Sequence, residues 1–385
     1  MFGLGRAVHD LTVAQAAQGH EVHVITNSIG GREPDAVVEG VHVHRIAYPP
    51  PPKPPDDTMA VTQFNIAALE AAARCVGRHG EPEVIHVHDW LTVLSGRMLK
   101  WLHPQARLAC TIHDTAHGKH FGQLGPPQQY SAFLERWIGQ EADVVICCSQ
   151  HVAEEMVGEH YQAPPQKIAV IPCGVDEAQF QAEGDLESYR TLFAEPRERL
   201  IGYVGRLDPE KGIPTLVEAF AAVLVAEPAA RLVLVGKGVL QEPLHRQALD
   251  LGIADRVRFA GYLGGSALAG FYRCCDVLVV PSRYEPFGIV ALEGMICGVP
   301  VIASDAGGLA EIIEHGRNGL SFPRENAPAL AQALLRVLTD AELAARIAAE
   351  GQRDARTRFG WGEIAARTVE AYGVAERVPT PAEGA

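Results

Sequence analysis

Four side chains in the C-terminal half of this 385-residue chain have the types and spacing to handle an anionic, hydroxyl-rich ligand. Arg206 and Lys211 flank the segment Gly205-Arg-Leu-Asp-Pro-Glu-Lys-Gly212, which follows an apolar run and precedes a helix with Pro214 in its first turn. A guanidinium fork and a compact ammonium at a helix N-terminus suit a diphosphate. The same pattern is also compatible with an exposed loop in which both cations pair with Asp208 and Glu210. Glu285 and Glu293 stand eight residues apart in Tyr284-Glu-Pro-Phe-Gly-Ile-Val-Ala-Leu-Glu293. A helix starting near Gly288 would offer the Phe287–Val290 amides to an anion and carry Glu293 two turns along. Carboxylates cannot hold phosphate but accept hydrogen bonds from neutral hydroxyls. A ligand with both phosphates and sugars therefore accounts for cations and carboxylates in one cleft. Gly236-Lys-Gly238 and Asp305-Ala-Gly307-Gly308 add two turns where backbone could approach a ligand closely.

In the N-terminal half, His86-Val-His88-Asp89-Trp90 and Thr111-Ile-His113-Asp114 occupy two expected strand ends. His113 could hydrogen-bond a substrate hydroxyl or polarise a reacting group, whereas His86 and His88 read as strand histidines satisfied by nearby backbone. A metal set of His113, His117 and His120 is the weaker alternative, and no metal site is expected. Eight cysteines (75, 110, 147, 148, 173, 274, 275 and 297) form no C-x-x-C pair. They read as reduced, mostly buried thiols of a cytoplasmic protein.

These residues need strands and helices to hold them. Apolar, β-branched runs are expected as strands at 21–26, 41–46, 84–88, 108–112, 144–148, 168–171, 200–204, 232–235, 257–260, 277–280 and 299–303. Many are apolar on both faces, as in a parallel sheet covered by helices. Helices are expected near 6–18, 64–77, 134–141, 185–193, 214–226, 288–297, 327–338 and 361–372. The alternation predicts doubly wound α/β architecture. Eleven strands exceed one comfortable sheet, so two domains are expected. They comprise an N-terminal Rossmann-like domain over 1–175, a linker over 176–198 and a C-terminal Rossmann-like domain over 199–355. Residues 356–385 follow as a helix crossing back plus a disordered tail from Val378. Pro49–Pro55, six prolines and Lys53, reads as a stiff exposed loop. A doubly wound domain usually opens with a strand feeding a glycine turn, but Met1 sits almost on Gly3-Leu4-Gly5. The first strand of the N-terminal domain is therefore expected to be missing, leaving part of a sheet uncovered.

The composition excludes several classes. With 33 Lys+Arg against 47 Asp+Glu, the formal net charge is −14, the wrong sign for a nucleic-acid partner. No apolar run reaches the roughly 18 residues of a transmembrane helix, and no secretory h-region opens the chain. A dehydrogenase would need G-x-G-x-x-G opening a helix with an acid roughly 20 residues on, which is absent.

Taken together, Gly205–Gly212 resembles the G-R-L-x-x-x-K-G loop, and Glu285 to Glu293 the E-x7-E signature, of retaining glycosyltransferases of family 4. Ile171-Pro-x-Gly-Val-Asp176, Gly307-Gly308-x-x-Glu311 and Phe359-x-Trp361 fit the same pattern. His86–Thr92 and Thr111–Asp114 are most similar to glycogen- and starch-synthase-type α-glucosyltransferases. The resemblance implies a GT-B fold, two Rossmann-like domains facing across a cleft. It implies hexosyl transfer with retention from a nucleotide sugar, ADP- or UDP-glucose, to an α-glucan, with no cofactor or metal. Arg206 and Lys211 would hold the donor diphosphate, Glu293 the ribose hydroxyls and Glu285 the transferred sugar, with His113 beside it. Gly3, Leu4, Gly5, Gly205, Gly236, Tyr262, Phe287, Gly288, Ile289, Val290, Gly307 and Gly308 would line the donor site. His88, Asp89, Trp90 and Asp114 would face the acceptor. Phe2 departs from the family, standing where a glycine often precedes Gly3. Transfer to another glycan or glycolipid, such as mannosyl transfer, is the neighbouring reading. A nucleotide-sugar-binding protein without turnover is the non-enzymatic one, and a nucleotide-sugar epimerase matches the loops less well.

Overall fold

A computed structural model of the chain describes residues 3–28, 35–46, 57–181 and 185–373. The Pro49–Pro55 segment, the tail from Val378 and Phe2 lie outside the described residues. Thirteen strands are present among them, forming three sheets. In the N-terminal half, β1 (His23–Asn27), β2 (Asp35–Val38) and β3 (Val41–Ile46) make a three-stranded sheet of order β1-β3-β2, with β1 parallel and β2 antiparallel to β3. A separate parallel sheet contains β4 (Val84–His88), β5 (Arg107–Ile112), β6 (Val144–Cys147) and β7 (Ile168–Val170) in that order. The C-terminal half holds β8 (Arg199–Val204), β9 (Ala230–Val235), β10 (Val257–Gly261), β11 (Val277–Val280), β12 (Val301–Ser304) and β13 (Leu320–Phe322). They form one parallel sheet of order β10-β9-β8-β11-β12-β13, whose order reverses between β8 and β11. An open α/β sheet binds ligands at such a switch point, beyond its strand C-termini.

The two-faced apolar runs are what a parallel sheet under helices requires. β6, β11 and β12 are buried at every residue, and the unanticipated β2 alternates exposed and half-buried as an edge strand does. β2 and β13, of four and three residues, were not expected from the sequence. The first helix covers Gly3–Ala17, so Gly3-Leu4-Gly5 forms a helical turn and not the strand-to-helix loop expected of it. No strand lies between Val170 and Arg199 among the described residues; a short turn at Glu177–Phe180 and a helix at Leu186–Thr191 fill that span.

The helix Trp361–Tyr372 crosses back onto the N-terminal sheet. Ile364 and Tyr372 pack with Ala109, Val144, Ile146 and Ile171. The Tyr372 hydroxyl meets Gln15 Nε2 at 3.0 Å and His86 Nδ1 at 2.8 Å, and Arg107 Nε donates to the Tyr372 carbonyl at 3.0 Å. Two of the short motifs meet here. The Val175 N–H donates to the Phe359 carbonyl at 2.7 Å, and a Cβ on Gly174 would lie 2.5 Å from the Trp361 ring. Truncating Ile364, which is 2% exposed, should detach this helix. Ile364→Ala is expected to cost about 2–5 kcal/mol in urea unfolding.

Candidate active site

The six-stranded sheet delivers its loops to a cleft of about 1090 Å³ between the two halves. Arg206, Lys211, Glu285 and Glu293 all line it, with Gly205, Gly236, Tyr262, Phe287, Gly288, Ile289 and Val290. From the N-terminal half come Leu4, Arg6, Asp10, His113 and Asp114. Backbone geometry explains the glycines at the ends of β8 and β9. Gly205 and Gly236 have φ of 153° and 136°, and a Cβ on Gly236 would stand 1.8 Å from the Gly205 carbonyl oxygen. Only glycine lets these two loops close on each other.

Lys211 Nζ donates to Glu285 Oε2 at 2.9 Å, and Ser282 Oγ donates to the same oxygen at 2.8 Å. Both contacts fall on Oε2, leaving Oε1 without a hydrogen bond among the described residues. An ammonium has three donors, so two remain for a ligand. The Arg206 guanidinium, half-exposed, forks onto Asp208, at 2.5 Å, and Glu210. The pairing within the loop therefore holds for Arg206, while Lys211 turns across to Glu285. The contacts of Arg206 use two of its five N–H donors, and three remain for a diphosphate.

Glu293 is buried on the helix Ile289–Ile296, whose N-cap Gly288 has φ of 120°. Tyr272 Oη donates to its Oε2 at 2.5 Å, and Arg6 Nη1 lies 3.7 Å from its Oε1. Burial pushes the Glu293 carboxyl above its ordinary value, with Tyr272 and Arg6 opposing. Arg6 also donates to Gln179 Oε1 at 2.9 Å and lies over the Phe180 ring at 5.0 Å. The sequence reading missed Arg6, Tyr272 and Ser282. Arg6 and Tyr272 act through Glu293, 287 and 21 residues away, whereas Ser282 stands only three residues before Glu285. Trp361 also lines the cleft, and its buried Nε1 has no hydrogen-bond partner among the described residues.

Gly307 and Gly308 do not line the cleft. They lie behind the Glu285 loop, where the Gly308 N–H donates to the Glu285 carbonyl at 2.9 Å. Gly3 and Gly5 lie in the first helix, and Leu4 between them reaches the cleft. His88, Asp89 and Trp90 also fall outside its lining. His88 Nδ1 contacts His113 Nε2 at 3.2 Å, and Asp89 Oδ1 accepts the His113 N–H at 2.7 Å. They position His113; Trp90 packs edge-on against Tyr130. His86 is satisfied by side chains and not by backbone, through Thr111 Oγ1 at 2.7 Å and Tyr372. His117 stacks on His160 with centroids 3.8 Å apart, away from the contact that His113 makes with His88. All eight cysteines are free thiols, six buried and two (Cys75 and Cys297) half-buried.

The halves are joined beside the cleft. Tyr284 Oη donates to Glu155 Oε2 at 2.9 Å, Ser149 Oγ to the Pro286 carbonyl at 2.5 Å, and the N–H groups of Gln150 and His151 to Glu311 at 3.0 Å each. Glu311 thereby caps a helix of the opposite half.

Two Rossmann-like halves, an inter-domain cleft and ligand loops at strand C-termini define a GT-B-type glycosyltransferase. The chain belongs to that class by sequence as well: residues 2–179 match Glycosyltransferase Family 4, and residues 188–354 match Glycosyl transferases group 1. It is 33% identical over 395 residues to glycogen synthase of Mycobacterium tuberculosis, covering 98% of this chain and 93% of that protein. It is also 33% identical over 388 residues to D-inositol 3-phosphate glycosyltransferase of Stackebrandtia nassauensis, covering 96% and 86%. Among solved structures, sucrose-phosphate synthase of Thermosynechococcus elongatus superposes with a TM-score of 0.83 at 29% identity, covering 97% and 93%. Anabaena Alr3699/HepE, in complex with UDP and glucose, shares the fold with a TM-score of 0.78 at 21% identity, covering 97% and 96%. No helix among the described residues is long and apolar enough to cross a membrane.

Burial holds His113 neutral, its pKa pulled down from 6.5 to about 4, and His86 likewise to about 3. In the unfolded chain both would take a proton near pH 6.5. Lowering the pH from 6.5 toward 4 therefore favours the unfolded state, by up to roughly 1.4 kcal/mol per unit for each group. Unfolding midpoints measured in denaturant should fall across this window, with a shallower slope in His86→Asn than in the parent.

Proposed function

We propose that this chain moves a hexose, glucose in the first instance, from a nucleoside diphosphate sugar to an α-glucan, with retention of anomeric configuration. The observation that carries this reading is the joint lining of one cleft by Arg206, Lys211, Glu285, Glu293 and the N-terminus of the helix Ile289–Ile296. Departure of the nucleoside diphosphate concentrates negative charge on the β-phosphate and leaves an oxocarbenium-like sugar. Arg206, Lys211 and the Phe287–Val290 amides would meet that charge more strongly in the transition state than in the ground state, the condition for acceleration. With this much side-chain and dipole charge, no metal ion is needed at the diphosphate. Glu285 would take a hydroxyl of the transferred sugar on Oε1. Glu293 would accept from ribose, with Tyr272 and Arg6 fixing its carboxylate. The neutral His113 imidazole would hydrogen-bond the sugar without adding positive charge beside an electron-poor anomeric carbon. Retention is accounted for by a front-face route in which the leaving phosphate takes the acceptor proton, and no enzyme nucleophile is assigned. Free thiols throughout fit a reducing compartment, the cytoplasm.

The similarity to glycogen synthase supports glucan as the acceptor. The equal identity to D-inositol 3-phosphate glycosyltransferase supports a second reading, a phosphorylated polyol acceptor. A panel of ADP- and UDP-sugars, each with glycogen or inositol phosphate, should give nucleoside diphosphate release with one donor and a labelled α-glucan. Donor hydrolysis with no acceptor product, or label only in the polyol, would displace the first reading. Lys211→Ala is expected to lower kcat roughly 100- to 1,000-fold, the scale of losing one transition-state donor, with the far-ultraviolet circular dichroism native although the melting temperature falls. Full activity in that variant would remove Lys211 from the mechanism.

A further inference from the structure

β1 and β3 pair in parallel with His23 opposite His42, and His44 follows two residues on, pointing to the same face. The helix Asp57–His79 packs over this face and contributes Cys75 and, one turn later, His79. His23 Nδ1 and His44 Nε2 lie 3.0 Å apart, and Cys75 Sγ is 3.3 Å from the first and 3.7 Å from the second. Nitrogen and sulfur ligands of a tetrahedral zinc ion, at bond lengths of 2.0–2.3 Å, sit about 3.3–3.8 Å from one another. The three atoms already stand near that spacing.

The outer ring nitrogens decide what the inner ones offer. His23 Nε2 lies 3.1 Å from Glu21 Oε1, and His44 Nδ1 lies 3.1 Å from Asp35 Oδ1. A carboxylate accepts, so each outer nitrogen carries the hydrogen and each inner nitrogen presents a lone pair. Two lone pairs then face each other, and the Cys75 thiol has one hydrogen to share between them. A cation between the three atoms removes this conflict. Histidine ligands of metal ions characteristically donate their second nitrogen to a carboxylate in this way. Glu21, His23 and His79 also cluster, but through His23 Nε2, so they cannot serve the same ion as Nδ1. A cavity of about 160 Å³, lined by His44, Cys75, Arg74 and Arg78 among others, leaves room for water as a fourth ligand.

We propose that His23, His44 and Cys75 bind a thiophilic divalent cation, Zn²⁺, between the β1-β3-β2 sheet and the Asp57–His79 helix. Binding converts the Cys75 thiol to a thiolate and releases its proton to solvent; no redox change is involved. The ion ties two strands to a helix in a part of the fold separate from the transferase cleft.

Protein stripped with a chelator should take up one Co²⁺ per chain and develop a near-ultraviolet sulfur-to-cobalt charge-transfer band. Zn²⁺ should displace the cobalt and raise the melting temperature. Cys75→Ser should abolish the band, and His44→Gln should abolish stoichiometric uptake while the far-ultraviolet circular dichroism stays native. Glu21→Gln should weaken Zn²⁺ binding roughly 10- to 100-fold. Cys297→Ser should change none of these. The assignment is overturned if the wild-type chain takes up neither ion. It is equally overturned if the band survives in Cys75→Ser, or if His79→Gln removes the site while His44→Gln retains it.

Discussion

A carboxylate and an ammonium that meet away from bulk water have to find each other, and the pairing of Lys211 with Glu285 sets much of the architecture around it. Both side chains are largely withdrawn from solvent. Placing them 2.9 Å apart requires the loop after β8 and the loop after β11, neighbours in the sheet, to end side by side. Ser282 and the Gly307-Gly308 turn then hold Glu285 from two sides. The pair keeps both charges in place without spending all of their hydrogen-bonding capacity. An arrangement of this kind is preorganised, so little has to move when a charged substrate arrives.

The N-terminal half contributes to the cleft mainly by reaching into it. Arg6 approaches Glu293, Gln179 and Phe180 together, joining the first helix to the segment between the halves and to the C-terminal site. Tyr284, Ser149 and Glu311 make the same connection from the other side. His113 is held in place by its own neighbours, His88 through the ring and Asp89 through the backbone. Two of the residues read from the sequence as facing an acceptor, His88 and Asp89, thus shape this histidine, while Asp114 lines the cleft and Trp90 packs on Tyr130.

Much of this was legible in the sequence because parallel strands buried on both faces leave long apolar runs, and ligand loops follow their C-terminal ends. The segments around Arg206, Lys211, Glu285 and Glu293 could be placed from that pattern. Helices such as Val93–Leu102 and Ala341–Arg358 were not located. Local pattern also misjudged Gly3-Leu4-Gly5, where a glycine pair reads as a turn but the chain winds into a helix. Arg6 and Tyr272 were invisible for a different reason, as their partners are 287 and 21 residues away. The histidine group on β1 and β3 left one trace, the alternation Val41-His-Val-His44, which places two imidazoles on one face of a strand.

The return of the Trp361–Tyr372 helix to the first sheet bears on how the chain is made. Ala109, Val144, Ile146 and Ile171 receive their covering from Ile364 and Tyr372, on a helix made well after all four strands of that sheet. During synthesis the C-terminal sheet can assemble as a unit, while the earlier-made lobe waits with an apolar face bare. This earlier sheet is therefore covered on this face only after the whole C-terminal sheet has been made.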